Sequence, residues 1–161
     1  MSSTPVPAGF AALYERHYEA VFRAALRVTG NPADAEDVLQ TVFLRVLSRN
    51  EDREAARHPA AYFRRAAVNA AVDVLRRRAA HAETAYDDQA PHAASERPAL
   101  LKEQLRRAIA TLDTEDATLF LLRHVEGLSL AELAGMFQME KNNVGVRLHR
   151  IRHRLQAEMG R

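Results

Sequence analysis

Apolar residues recur at three- and four-residue steps along most of the chain, a periodicity typical of amphipathic helices. The first helix is expected to begin near Phe10 and to end at Gly30, a residue type that suits a helix C-terminus. Asn31 can cap the second helix, and Pro32 suits its first position. The polar residues 48–58 are expected to form a loop before a third helix begins.

The C-terminal part of the chain continues the helical pattern. A helix from about Pro98 is expected to bury Leu101, Leu105, Ile109 and Leu112. Ser129 and Glu132 have the spacing of a capping box, which marks the start of a short helix. The last helix has a buried seam at Val144, Leu148, Ile151 and Leu155. A short helix, a tight turn and a longer helix predict a helix-turn-helix.

These elements predict an all-α protein with two small helical domains joined by a flexible linker. The linker is expected where apolar periodicity fades and acidic residues, alanine and proline dominate. The predicted organisation is a disordered tail over residues 1–9, a helical domain over 10–80, the linker over 81–97 and a helix-turn-helix domain over 98–161.

The composition of the chain excludes several classes of function. The 161 residues include no cysteine, which excludes a disulfide scaffold and thiol catalysis and fits a reducing cytoplasm. No apolar run approaches the length of a membrane span, so a cytoplasmic protein without membrane insertion is expected. The 23 Lys and Arg against 21 Asp and Glu give a net charge of only +2, so the placement of charge matters more than its sum.

The second helix has an acidic face in its first two turns, formed by Asp34, Glu36, Asp37 and Gln40. Acids near a helix N-terminus can simply stabilise the helix dipole and remain solvated. They can also dock on a basic partner. A metal site would need further ligands, and the sequence marks none, so neither a metal nor another cofactor is expected.

The third helix has a basic face on which an aromatic residue and an amide lie among arginines. Its members are Tyr62, Arg64, Arg65, Asn69, Asp73, Arg76 and Arg77. Stacking, amide hydrogen bonds and phosphate contacts are what single-stranded nucleic acid requires. The alternative is a solvated basic face favoured by the helix dipole.

The last helix exposes side chains suited to a DNA groove. These are Asn142, Asn143, Val146, Arg147, His149 and Arg150. Asn and Arg can read adenine and guanine edges in the major groove. The alternative is an ordinary helical hairpin with a solvated basic end. His149 and His153 have a spacing that can hold zinc, but the neighbouring arginines repel a cation.

With these residues in view, the chain resembles an extracytoplasmic-function (ECF) sigma factor of the sigma-70 family, a class of bacterial transcription initiation factor. The region 2 pattern is found in FAALYERHYEAVFRAALRVTGNPADAEDVLQTVFLRVL followed by AYFRRAAVNAAVDVLRRR. The region 4 pattern is found in LDTEDATLFLLRHVEGLSLAELAGMF followed by VGVRLHRIRHRL. The resemblance covers about Phe10 to Leu155.

The resemblance implies a role for each face. The acidic face would dock on the β′ clamp helices of core RNA polymerase. The β flap of the polymerase would be a second contact. Residues 48–58 and the basic face of the third helix would capture the non-template strand at the minus-ten element. The last helix would recognise the minus-thirty-five element, where relatives read bases at the positions of Gly145, Val146 and His149. The resemblance also implies control by an anti-sigma factor and no covalent chemistry by this chain.

The chain departs from the family pattern around the turn of the helix-turn-helix. Relatives usually have Gly at the position of Gln138 and Ser or a similar cap at Glu140. Gly145 has no side chain to reach a base and weakens a helix, although it can allow the backbone to approach DNA closely. DNA binding by this helix is therefore expected, but not the usual minus-thirty-five sequence.

Two rival functions explain fewer of these features. A free-standing helix-turn-helix regulator would need only the C-terminal domain, and typically binds DNA as a dimer. A metal-dependent nuclease would use Asp34, Glu36, Asp37 and Asp73.

Overall fold

A computed structural model describes residues 8–49, 52–84 and 97–160 of the chain. Across these ranges the chain forms eight helices and no strand, so the all-α prediction is confirmed. The helices are α1 Ala8–Thr29, α2 Pro32–Ser48, α3 Asp52–Arg57, α4 Pro59–Thr84, α5 Arg97–Ile109, α6 Thr114–His124, α7 Leu130–Phe137 and α8 Lys141–Met159.

The chain divides into two compact units, Met1–Ala71 and Val72–Arg161, and the division falls within α4. Ala8 and Gly9, expected in the tail, belong to α1, and the rest of the predicted tail lies outside the described residues. Of the predicted linker, residues 81–84 continue α4, while 85–96 lie outside the described part.

In the first unit α1 packs against α2, and the connection between them forms as predicted. Gly30 ends α1 with a φ of 67°, a left-handed conformation that glycine adopts without steric cost. Asn31 caps α2: its Oδ1 accepts hydrogen bonds from the amides of Ala33 at 2.8 Å and Asp34 at 3.2 Å. The core of this unit includes stacked rings of Phe43 and Phe63, whose centroids are 5.1 Å apart.

The prediction of a loop over residues 48–58 is wrong for most of its length. Ser48 is the last residue of α2, and Asp52–Arg57 form α3, which contacts both α1 and α2. Ala55 is completely buried in this short helix. Burial of one small residue and the high helix propensity of Ala, Glu and Arg therefore outweigh the polar composition of the segment.

In the second unit α5, α6 and α7 all contact α8. The predicted seam of α8 is confirmed, because Val144, Leu148, Ile151 and Leu155 are buried. The expectation for α5 is only partly correct: Ile109 and Leu112 are buried, but Leu101 is 55% exposed. Burial in α5 is confined to its C-terminal end, a distinction that periodicity alone does not make.

Candidate nucleic-acid interface

The acidic face of α2 is oriented by the helix's apolar side. Ala35, Val38, Leu39 and Val42 are buried, which fixes the rotation of the helix about its axis. As a result Glu36, Asp37 and Gln40 are exposed and Asp34 is half-buried. The structure thus brings the four predicted docking residues onto the solvent side of one helix.

The same helix has two exposed leucines that sequence reasoning did not assign to this face. Leu44 is 63% exposed and Leu47 is 38% exposed. Asp37, Gln40, Leu44 and Leu47 follow one another at steps of three and four residues, so they share a face. This spacing, which can be read from the sequence, would have assigned both leucines to the acidic face.

The basic face of α4 begins at Tyr62, next to the packed rings of Phe43 and Phe63 in the first unit. The Tyr62 ring is half-buried and packs edge-on against Phe63, with centroids 5.2 Å apart. Arg64 and Arg65 are exposed, and Asn69 is half-buried. Tyr62 is therefore held by packing, while the neighbouring guanidinium groups face solvent.

Further along α4, Asp73, Arg76 and Arg77 belong to the second unit. Asp73 is half-buried and Arg77 is exposed. Arg76 is half-buried and already bonded, since its guanidinium donates to the carbonyl oxygen of Leu112 and, at 2.6 Å, to Oγ1 of Thr114. Arg76 and Arg77, neighbours in sequence, thus differ in their availability to a ligand.

The helix-turn-helix is formed by α7 and α8. The Ser129 hydroxyl accepts a hydrogen bond from the Glu132 amide at 3.0 Å, and the Glu132 carboxylate accepts one from the Ser129 amide at 3.1 Å. This is the predicted capping box. Gln138 in the turn has a φ of 53°, a left-handed conformation that glycine adopts without steric cost. Glu140 stands at the N-cap of α8 without a side-chain cap hydrogen bond.

The exposed side of α8 contains most of the predicted minus-thirty-five residues. Asn142, Asn143, Val146, His149 and Arg150 are exposed, whereas Gly145 and Arg147 are half-buried. A Cβ placed on Gly145 would meet no atom within 4 Å, so packing does not require glycine there. The structure therefore presents two amides, an aliphatic side chain, an imidazole and a guanidinium on one helix.

Arg147 differs from its neighbours because it is paired within the protein. Its Nε donates to Oδ1 of Asp116 at 2.6 Å, and its Nη1 donates to Oε1 of Glu115 at 2.9 Å. Burial acts to lower the pKa of Arg147, but the hydrogen bonds and charges of Asp116 and Glu115 outweigh it and raise that pKa. The side chain is therefore a permanent cation with two carboxylate partners.

The two histidines of α8 lie close together, with 3.1 Å between the Nε2 atoms of His149 and His153. Within residues 8–49, 52–84 and 97–160, no group of three or more His, Cys, Asp or Glu side chains could hold a metal ion. In the same ranges, no helix is long and apolar enough to cross a membrane.

Two family descriptions match the chain. "Sigma-70 region 2" matches residues 13–81, which include the acidic face of α2 and the basic face of α4. "Sigma-70, region 4" matches residues 102–155, which include the helix-turn-helix. The RNA polymerase sigma-E factor of Streptomyces coelicolor is 32% identical over 148 residues, covering 88% of this chain and 80% of the relative. The chain belongs to the ECF sigma factors of the sigma-70 family.

A second relative is the ECF RNA polymerase sigma factor SigM of Mycobacterium tuberculosis, 29% identical over 154 residues, covering 94% of this chain and 77% of the relative. A solved structure with a similar fold is the sigma factor RpoE of Bartonella quintana in complex with the anti-sigma factor NepR. It has a TM-score of 0.51 and 16% identity, and the match covers 94% of this chain and 96% of that one. The sequence-based predictions of an alternative sigma factor and of two all-α domains are confirmed.

Proposed function

We propose that this ECF sigma factor binds core RNA polymerase through the acidic face of α2 and contacts two promoter elements through α4 and α8. The observation that carries the proposal is the separation of charge between named surfaces. Glu36 and Asp37 are exposed on α2, whereas the solvent sides of α4 and α8 present arginines.

The docking partner of α2 is the β′ clamp helices, as family membership implies. Carboxylates at the start of a helix suit a basic surface, because opposite charges steer the encounter and fix its register. Leu44 and Leu47 extend the same face with apolar area that loses contact with water when a partner covers it. The β flap is the proposed contact of the C-terminal domain.

At the minus-ten element, the first part of α4 and the neighbouring α3 capture the non-template strand. Opening a duplex costs a few kcal/mol for each unstacked base, and stacking on an aromatic ring recovers part of that cost. Tyr62 is the proposed stacking group, Asn69 the proposed hydrogen-bonding amide, and Arg64 and Arg65 the proposed phosphate contacts. Further along the same helix, Arg77 is a proposed additional phosphate contact, whereas Arg76 is already bonded to Thr114 and Leu112.

At the minus-thirty-five element, α8 lies in the major groove. Asn142, Asn143, Val146, His149 and Arg150, which are exposed, are the side chains proposed to meet base edges. Gly145 is proposed to let the backbone approach the DNA. The chain itself performs no covalent chemistry, because the polymerase supplies it. Both proteins are proposed to act in the cytoplasm. An anti-sigma factor is the proposed regulator, since the structurally similar RpoE of Bartonella quintana was solved with one.

The test of docking is a reversal of charge on α2. Asp37→Arg is expected to weaken binding to bacterial core RNA polymerase by about tenfold or more, because it places a cation against a basic partner. Glu15→Arg is the matched control, since Glu15 is an exposed acid of α1 in the same unit. A pull-down of the purified full chain with core polymerase measures both variants, and duplex DNA binding in the absence of polymerase should be unaffected.

Transcription from a genomic fragment library then completes the test. Stoichiometric binding of the wild-type chain followed by discrete start sites supports the proposal and defines both promoter elements. Equal binding by Asp37→Arg and Glu15→Arg would remove the docking role from α2. A dimer that binds palindromic duplexes and not polymerase would instead establish a free-standing helix-turn-helix regulator.

A further inference from the structure

We infer that Arg147 is a positioning residue that fixes the recognition helix α8 on α6, and that it does not itself read or hold promoter DNA. This role differs from the one predicted from the sequence, where Arg147 was grouped with the DNA-contacting residues of α8. The inference rests on the proposed recognition of the minus-thirty-five element by α8.

The contacts of Arg147 join two helices that are distant in sequence. Its Nε and Nη1 bind carboxylates of Asp116 and Glu115 in the first turn of α6, at 2.6 and 2.9 Å. Asp116 is itself held in place, because its amide donates to the side chain of the N-cap residue Asp113 at 2.8 Å. The anchor for α8 is therefore a capped and ordered helix end.

To turn its Nε and Nη1 donors toward DNA, Arg147 would have to give up these partners. Hydrogen bonds between ionised groups are about twice as strong as neutral ones, so their loss is costly. The carboxylates of Asp116 and Glu115 would also be left unpaired beside a phosphate backbone. Arg150 and Arg154 line the same groove of about 490 Å³ as Asp116 and Arg147, yet both are exposed. They can reach DNA at lower cost than Arg147.

The start of α8 needs such an anchor. Glu140 provides no side-chain cap, and Gly145 is two residues before Arg147 in the helix. Both features weaken the first two turns, which contain Asn142 and Asn143. Direct readout of bases needs these side chains held to within a fraction of an ångström. Arg147 lies one turn after Asn143 on the same side of α8, so its ion pairs fix this part of the helix on α6.

Asp116→Asn separates the two roles by the sign of its effect. If Arg147 positions α8, loss of the carboxylate weakens binding to a minus-thirty-five duplex by about tenfold, although the protein has lost a negative charge. If Arg147 contacts DNA, the same change frees the guanidinium and binding becomes equal or tighter. Glu126→Gln is the control for the loss of one charge elsewhere in the second unit.

The probe is a duplex that the wild-type holoenzyme selects from a genomic library, titrated over a range of salt concentrations. Arg147→Met is expected to weaken binding without changing the salt dependence, whereas loss of a phosphate contact lowers the slope of log K against log salt by about 1. A lowered slope, or tighter binding by Asp116→Asn, would overturn the inference.

A double-mutant cycle on unfolding needs no DNA and so remains informative if the proposed function fails. Arg147→Met and Asp116→Asn are expected to be coupled by about tenfold in the unfolding equilibrium constant. Additive effects would show that the ion pair does not hold α8, and would overturn the inference. Selection of no duplex by wild-type holoenzyme would count against the proposed function, while the cycle would still decide whether Arg147 anchors α8.

Discussion

The helices α7 and α8 follow each other in one helix-turn-helix motif, yet their first turns are stabilised in different ways. The start of α7 has a complete capping box, with Ser129 and Glu132 satisfying each other's amides. The start of α8 follows a left-handed Gln138, has Glu140 at the N-cap without a side-chain hydrogen bond, and contains Gly145. The N-cap side chains therefore stabilise the start of α7 more than the start of α8.

The difference shows what holds the recognition helix in place. The buried seam of α8 packs in the second unit, and Arg147 connects α8 to α6 through Asp116 and Glu115. Tertiary contacts thus replace local capping at the helix that is proposed to read DNA. The orientation of its exposed side chains therefore depends on Asp116 and Glu115 of α6.

The strongest test of this dependence removes part of the buried seam. Leu148→Ala is expected to lower the free energy of unfolding of the second unit by about 3 kcal/mol, because it deletes buried apolar volume and leaves a cavity. Urea unfolding followed by circular dichroism measures the change. Val146→Ala is the control: Val146 is 52% exposed on the same helix, and its truncation should change stability by less than about 0.5 kcal/mol. Equal effects would mean that the seam does not hold α8.

The two helix starts can be compared directly by removing each N-cap side chain. Ser129→Ala is expected to cost about 1 kcal/mol, since the Glu132 amide loses the Ser129 hydroxyl that accepts its hydrogen bond. Glu140→Ala is expected to cost less than about 0.5 kcal/mol, because the Glu140 side chain makes no cap hydrogen bond. The same urea titration measures both. If Glu140→Ala cost as much as Ser129→Ala, the contrast between the helix starts would be lost.

These features also show which parts of the fold the sequence predicts well. The caps at Asn31 and Ser129 were predicted because a cap depends on residues only two or three positions apart. The seam of α8 was predicted because its periodicity extends over several turns. In contrast, α3 was missed, because its six residues are too short for a periodic pattern and the burial of Ala55 depends on the tertiary fold.

The candidate site likewise has a part that the sequence predicts and a part that it does not. The exposure of Asp37 and Gln40 followed from the helix pattern, since the opposite side of α2 is apolar. The pairing of Arg147 with Asp116 could not be derived, because 31 positions separate the two residues and only the packing of α6 on α8 brings them together. Sequence therefore identifies which residues lie on a helix face, but not which of them the fold already engages.

Gly145 tests whether the weak start of α8 serves DNA binding. Gly145→Ala is expected to raise the free energy of unfolding by about 0.5–1 kcal/mol, because alanine favours the helix and its Cβ meets nothing within 4 Å. The matched control is Gly135→Ala in α7, where an added Cβ also meets no atom. Both changes should stabilise the protein, but only Gly145→Ala should weaken binding to a minus-thirty-five duplex. Unchanged DNA affinity in both variants would refute close approach of the backbone at Gly145.

The smallest expected effect concerns pH and a second contact between α6 and α8. His124 packs against Phe120, with ring centroids 4.5 Å apart, and its Nε2, when unprotonated, accepts a hydrogen bond from Arg152 of α8 at 3.5 Å. Burial, and then the charges of Arg152 and Arg123, lower the pKa of His124 below 6.5. The folded state therefore favours the neutral imidazole that this contact needs.

Because the pKa of His124 is lower in the folded protein, the unfolded chain binds the proton first as the pH falls. The stability linked to His124 is complete above about pH 6.5 and declines below it, until the pH reaches the lowered pKa of the folded state.

His124→Gln should flatten the slope of unfolding free energy between about pH 7 and 5, measured by urea titration at each pH. His17, whose pKa is also lowered by burial and by Arg16, contributes with the same sign, so the readout is the difference from wild type. Arg152→Gln should flatten the slope partially, since it removes one of the charges that disfavour protonation. A slope unchanged by His124→Gln would mean that folding does not lower the pKa of His124.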